Sequence, residues 1–310
     1  MLLQRVRAGG SIPRKCIIFC ERRISLVRSL PAAQTVLTIA GFDPSSGAGV
    51  TADLMVFAAH GLFGISCITG LTVQSTLGVR SIHAVPAAIV AETLDFLEAD
   101  LPPAGVKIGM VTTEDNTHII SGYLTKHNPQ HVHSIEPRRL IVLDPVLRST
   151  SGRELLDPAG VAALRDRLLP LVDWVTPNLD ELAVLTGEQV VQRSDLPRVA
   201  RVLQAQIVAM RGGPQLGVFA TGGHLDPPDD YLLMPNGKGV WLPGERIDTK
   251  STHGTGCALS SAFLSRLVLG DAPEEAALAA KAYVAGALRT AVGRGTGVSA
   301  GNHLWPLLNP

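Results

Sequence analysis

An α/β fold with a mostly parallel central sheet and helices on both faces is predicted from three observations. Short apolar runs rich in β-branched residues recur along the chain, segments of helical period lie between them, and no fixed-length repeat or low-complexity block interrupts the alternation. Runs that are apolar throughout, rather than at every second residue, belong to strands buried on both faces, as parallel βαβ units produce. The 310 residues are 46% apolar and 17% charged, enough to bury a core over most of the length.

The first strand is read at Thr35–Ala40, followed by a helix at Ala52–Ala59 that Gly61 closes and a buried strand at Ile65–Leu71. Leu54 to Val79 holds no Asp, Glu, Lys or Arg, long enough on paper to span a bilayer. His60, Gly61, Gly64, Thr69, Gln74 and their polar neighbours break it up, so helix-then-strand is the reading and no membrane association is expected. Further strands are placed at Val106–Met110, Leu140–Leu143, Trp174–Thr176 and Gly217–Ala220. Helices are placed at Ala87–Ala99, Pro158–Leu169, Asp180–Leu185, Leu196–Met210, Ala258–Leu269 and Pro273–Val292. Lys126–Arg139 and Asp226–Asp230 read as exposed loops.

Lys and Arg number 27, as do Asp and Glu, and only 4% of residues are aromatic. Neither a basic field nor stacking platforms for nucleic acid are present in that total. Residues 1–30 hold Arg5, Arg7, Arg14, Lys15, Arg22, Arg23 and Arg28 against Glu21 alone, so residues 1–33 are set apart as a basic extension and 34–310 form one domain. Cys16, Cys20, Cys67 and Cys257 show no CxxC spacing, which favours a reducing, cytoplasmic setting over disulfides or zinc.

The unusual residues gather after the strands: Gly41-Phe-Asp-Pro-Ser-Ser-Gly-Ala-Gly49, then Gln74, Gly109-Met110, Asp144-Pro145-Val146, Pro177-Asn178-Leu179-Asp180-Glu181 and Thr221-Gly222-Gly223-His224. In an open parallel sheet, ligands bind beyond the carboxyl ends of the strands, so a small-molecule crevice is expected there. Thr252-His253-Gly254-Thr255-Gly256-Cys257 runs into a helix with apolar residues at 259, 263, 267 and 268. Glycine N–H groups at that helix end, with the positive end of its dipole, suit a phosphate.

In order, AGFDPSSGAGVTADL, the Gln74 strand end, KIGM, LDPV, TPNLDE, TGGHL and THGTGC resemble the ribokinase superfamily, and within it the hydroxymethylpyrimidine/phosphomethylpyrimidine kinases, from about Thr35 to Gly297. The resemblance implies a homodimer that transfers the γ-phosphate of ATP, with Mg²⁺, to 4-amino-5-hydroxymethyl-2-methylpyrimidine and then to its monophosphate, for thiamine biosynthesis. It implies that Gln74 hydrogen-bonds the aminopyrimidine, as a carboxamide can, and that Gly41, Asp53, Met110 and Val146 complete the pocket wall. Asp144 and Glu181 would hold Mg²⁺ or its waters. Gly254, Thr255 and Gly256 would form the anion hole, and Asn178, Thr221, Gly222 and Thr252 would meet the nucleotide.

Cys257 stands where sugar-kinase relatives carry an Asp base. At a helix N-terminus its pKa is expected to fall, so that a thiolate could take the hydroxymethyl proton. Thr221 occupies the position of a lysine common in such kinases, and threonine cannot lend a cation to the ATP phosphates. Two alternatives accompany the reading: a pyridoxine/pyridoxal kinase of the same superfamily, and a non-catalytic ligand-binding relative.

Overall fold

A computed structural model describes residues 33–128, 139–149, 152–211, 215–223 and 225–308. All but the last residue of the basic extension, and most of the Lys126–Arg139 loop, lie outside the described residues.

The chain forms strand β1 at Thr35–Phe42, helix α1 at Gly49–Ala59, and the hairpin of β2 (Phe63–Ser75) and β3 (Gly78–Ala84). Then come α2 (Ala87–Asp100), β4 (Gly105–Ile108), α3 (Glu114–His127), β5 (Leu140–Leu143) and α4 (Pro158–Ala163). After β6 (Trp174–Val175) come α5 (Leu179–Thr186), α6 (Leu196–Arg211), β7 (Gly217–Ala220), β8 (Asp230–Leu233) and β9 (Gly239–Leu242). The C-terminal part is helical: α7 (Thr255–Val268), α8 (Pro273–Arg289) and the single turn α9 (Trp305–Leu308).

The nine strands make one sheet in the order β3-β2-β1-β4-β5-β6-β7-β8-β9. From β2 to β7 the pairing is parallel; β3, β8 and β9 are added antiparallel. The chain leaves β1 towards β2 and returns to the opposite side of β1 at β4, so the topological switch lies between β1 and β4, where open sheets bind their ligands.

Successive residues of each strand feed opposite faces. Leu37, Ile39, Ile141, Leu143, Val175 and Val218 pack on one side with Val90 and Leu94 of α2, Ile120 of α3 and Leu203 of α6. Val36, Val142, Trp174 and Phe219 face the other side, against Phe57 of α1, Phe263 of α7 and Ala276 of α8. Phe263 meets Trp174 and Phe219 edge to face, each at 5.2 Å between ring centroids. This double burial is why the strands read as unbroken apolar runs.

The structure departs from the sequence reading in several places: β8 and β9 are additions, and the helix read at Pro158–Leu169 is α-helical only to Ala163. β2 continues to Ser75, because β3 supplies an antiparallel partner from Gly70 to Ser75, and Gln74 therefore sits inside a strand. α3 follows Thr113, whose hydroxyl accepts from the Asn116 N–H at 3.2 Å, with Glu114 and Asp115 in its first turn and Lys126 and His127 in its last. Asp226–Asp230 is no exposed loop throughout. Asp229 and Asp230 are buried, and Asp230 accepts from the Gly222 N–H at 2.8 Å and pairs with Lys281 at 2.6 Å. No helix among the described residues is long and apolar enough to cross a membrane.

Candidate active site

The loop after β1 is organised by one carboxylate. Asp43 accepts from the Ser45 N–H at 2.8 Å, the Ser45 hydroxyl at 2.7 Å, the Gly47 N–H at 3.1 Å and the Ala48 N–H at 3.0 Å. His253 Nε2 lies 2.7 Å from its Oδ2, the oxygen that Gly47 and Ala48 also reach. Burial raises the pKa of Asp43, but hydrogen bonds from His253 and Ser45 outweigh it and hold the group below its ordinary value. Gly41 lets Met110 approach: a Cβ on it would stand 2.1 Å from Met110 Cε.

The second loop interlocks with the first. Gly254 caps α7 with φ +76°, and a Cβ there would stand 1.8 Å from the Gly47 carbonyl oxygen. Thr255 is the first helical residue, and Gly256 faces the crevice, where a Cβ would approach only Asp144 Oδ2, at 3.7 Å. The N–H groups of this turn therefore open beside a carboxylate. Cys257 keeps partial exposure, yet burial pushes its thiol up to about 12; the ammonium of Lys107 opposes that rise, while Asp144 and Asp53 add to it. The expected fall in its pKa is corrected: desolvation, with two neighbouring carboxyls, raises it against the opposing Lys107.

Beneath the crevice lies a closed polar cluster. Lys107, from β4, donates to Asp53 Oδ2 at 2.9 Å and Oδ1 at 3.1 Å; Thr38 donates to Oδ2 at 2.6 Å and Ser261 to Oδ1 at 2.8 Å. Both members of the ion pair are fully buried. Burial alone would lower the Lys107 pKa, but Asp53, with Cys257 and Asp144, holds it raised. Asp53, expected at the pocket wall, is held here by three internal donors, Lys107, Thr38 and Ser261.

Asp144 ends β5 and accepts from Ser260 of α7 at 3.2 Å. Glu181 closes the capping box of α5: its carboxylate accepts from the Asn178 N–H at 2.9 Å, and Asn178 Oδ1 accepts from the Glu181 N–H at 2.9 Å. Burial raises the pKa of both acids; Asp144 adds to the rise at Glu181, and Lys107 opposes it at Asp144. Two buried, mutually repelling carboxyls are a donor set that a divalent cation would neutralise. Among the described residues no three His, Cys, Asp or Glu side chains are placed to hold a metal ion between them, but Mg²⁺ keeps several waters and takes one or two carboxylates.

The other expected residues fall around this centre. Gln74 is half-buried on β2, and its carboxamide nitrogen lies 2.9 Å from His253 Nε2. Met110 is buried and Val146 partly exposed. Thr221 forms a parallel bridge with Asn178, Gly222 is buried beside Asp230, and Thr252 is exposed. The sequence reading passed over Asp43, His253 and Lys107. Asp43 did carry a signal, an acid followed by Ser-Ser-Gly, which is a loop-capping pattern. Lys107 carried none, since its partner lies on another element.

An open sheet with its switch at β1, a glycine turn opening a helix beside two acids, and a carboxamide on the neighbouring strand place the chain in the ribokinase-like class of folds. The phosphomethylpyrimidine kinase family matches residues 43–302. A hydroxymethylpyrimidine/phosphomethylpyrimidine kinase of Rhizobium meliloti is 40% identical, covering 87% of this chain and 97% of its own. The chain spans only 35% and 52% of thiamine biosynthesis proteins of Corynebacterium efficiens and Geobacter sulfurreducens, which are named multifunctional and bifunctional. Among solved structures, phosphomethylpyrimidine kinase of Clostridium difficile superposes with TM-score 0.68 at 35% identity, over 81% of this chain and 98% of that one. Pyridoxal kinase of Staphylococcus aureus in complex with AMP-PCP and pyridoxal gives 0.75 at 26% identity, over 88% and 95%. The chain belongs to the phosphomethylpyrimidine kinase family.

Proposed function

We propose that the protein phosphorylates 4-amino-5-hydroxymethyl-2-methylpyrimidine and then its monophosphate, drawing the γ-phosphate from MgATP. One observation carries the reading: Gln74, suited to an aminopyrimidine edge, stands a single 2.9 Å contact from the residue that precedes the Gly254–Gly256 turn. A ring held at Gln74 therefore presents its substituent to the turn where a phosphoryl group would rest. Asp144 and Glu181 would hold Mg²⁺, which neutralises phosphate charge when bound. The turn's N–H groups take the charge that develops on the transferred group.

The hydroxymethyl oxygen attacks the γ-phosphorus as the bond to the β-phosphate oxygen breaks. Because such transfer is loose, the hydroxyl proton need leave only late. A protonated Cys257 fits a group that orients the alcohol rather than ionising it beforehand. Asn178, Thr221, Gly222 and Thr252 line the nucleotide end, without the lysine common at position 221. The equal numbers of basic and acidic residues and the four cysteines without disulfide spacing support a cytoplasmic enzyme that binds no nucleic acid; assembly as a homodimer rests on the family resemblance.

The likeness to pyridoxal kinase favours a second reading, phosphorylation of pyridoxal. Coupled ADP assays with the pyrimidine alcohol, its monophosphate and pyridoxal in parallel separate the two. Turnover of both pyrimidines above pyridoxal supports the proposal. Pyridoxal as the best acceptor replaces it, and no turnover of any points to a ligand-binding relative.

A further inference from the structure

We propose that His253 is a positioning residue that fixes which way the Gln74 carboxamide faces, and so sets the donor–acceptor order the site accepts on a substrate ring. This rests on the reading that Gln74 holds the ring.

The His253 ring is immobilised from several sides. Its backbone N–H donates to Ser299 O at 3.0 Å, its chain bridges Ala300, and its ring covers Gly47, where a Cβ would stand 2.2 Å from Cδ2. One ring atom, Nε2, then faces two groups: Asp43 Oδ2 at 2.7 Å and the near end of the Gln74 carboxamide at 2.9 Å. A ring nitrogen offers either one hydrogen or one lone pair.

Asp43 decides which. Four other donors converge on its carboxylate, and an ionised carboxylate only accepts, so Nε2 must carry its hydrogen towards Asp43. An amide NH₂ set against that N–H would oppose donor to donor. The favoured arrangement turns the carboxamide oxygen towards His253, where it shares the one Nε2 hydrogen with Asp43 as a three-centre bond, and the NH₂ towards Thr72, whose hydroxyl lies 3.2 Å from the far end of the carboxamide and donates to the Phe42 carbonyl at 3.0 Å. Amide oxygen and nitrogen are told apart by such networks and not by shape. With one lone pair and one hydrogen thus engaged, Gln74 presents the remaining pair to the crevice in one order only.

The test compares the 4-amino pyrimidine alcohol with its 4-oxo analogue, which reverses donor and acceptor along the ring edge, by kcat and KM at saturating ATP. Gln74→Ala is expected to collapse discrimination between them. His253→Leu is expected to narrow the ratio of kcat/KM values about tenfold or more, through KM, with kcat on the amino substrate within about threefold of wild type. His253→Gln, which can place an amide N–H near the lost Nε2, is expected to restore the ratio. Should His253→Leu not fold, Thr72→Val frees the other end of the carboxamide and carries the same expectation. A wild-type ratio in the folded His253→Leu or Thr72→Val variant, with discrimination lost in Gln74→Ala, overturns the proposal alone. Discrimination unchanged in Gln74→Ala overturns the reading beneath it.

Discussion

Lys107 Nζ lies 2.9 Å from Asp53 Oδ2, with neither side chain exposed, so strand β4 and helix α1 are pinned by an ion pair that water does not reach. Thr38 and Ser261 complete the carboxylate's shell from β1 and α7. Four elements thus meet at one charged contact directly beneath the crevice.

Removing one partner strands the other. Asp53→Ala is expected to cost about 3–5 kcal/mol, because a buried ammonium loses its counter-charge. The Asp53→Ala/Lys107→Met double variant should recover part of that loss, since no buried charge is left unpaired. Urea midpoints of wild type, Asp53→Ala and the double variant measure the recovery; a double variant no more stable than Asp53→Ala would contradict it.

A thiol pushed up to about 12 is protonated at neutrality, with a thiolate fraction on the order of 10⁻⁵. Iodoacetamide should therefore label Cys257 in the free enzyme slowly at pH 7, with a rate that keeps rising through about pH 9. Cys67, buried and likewise pushed up to about 12, should be as inert. In turnover, Cys257→Ser should keep more activity on the alcohol than Cys257→Ala, and either substitution should reduce the monophosphate reaction much less, because that acceptor is already ionised. Rapid labelling at pH 7 with a plateau would restore the resting thiolate.

The two glycines of the turn should fail differently. Gly254→Ala forces a side chain into left-handed backbone and against the Gly47 carbonyl, so a stability loss above about 1–2 kcal/mol is expected along with lost activity. Gly256→Val meets only Asp144 at the Cβ and should melt near the wild-type temperature. Its kcat should nevertheless fall for both acceptors alike, because the added methyls enter the phosphoryl position.

Asp144 and Glu181 supply a pH-linked test of the metal site. A carboxyl whose folded pKa lies above its unfolded one weakens the fold as pH climbs past the unfolded value, and the penalty is complete above the folded value. Without Mg²⁺, wild type should therefore lose stability relative to Glu181→Gln as pH rises from the carboxylate range towards neutrality. Glutamine can keep the capping box, so α5 is preserved in the comparison. Millimolar Mg²⁺ should raise the wild-type Tm and not that of Asp144→Asn/Glu181→Gln; equal shifts in both would place the cation elsewhere.

Strand β1 begins at Thr35, so a protein lacking residues 1–30 is expected to fold and turn over at wild-type rates. Insolubility or inactivity of the truncated chain would move the proposed domain boundary into the extension.

The parallel strands were legible because burial on both faces leaves only apolar residues to choose from; Leu140–Leu143 and Gly217–Ala220 match to the residue. The antiparallel additions were not. β3, GVRSIHA, is half-exposed along its length and owes its existence to β2, while Asp229 and Asp230 look like a solvated turn until Arg193 and Lys281 are seen to pair with them. α3, EDNTHIISGYLTKH, has too thin an apolar stripe to announce itself. Within the site, the Gly254–Gly256 turn was readable from local chemistry. The Asp53–Lys107 pairing and the placement of His253 were missed for one shared reason: each depends on a partner distant in sequence, and periodicity carries no information about such pairs.

The clearance between Gly254 and Gly47 is too small for a methyl group. Two loops far apart in the chain therefore meet backbone to backbone, and neither can close further on the other, while the His253–Asp43 contact ties them together. A graft that exchanges one loop between relatives must bring a counterpart equally slender at 47 and 254.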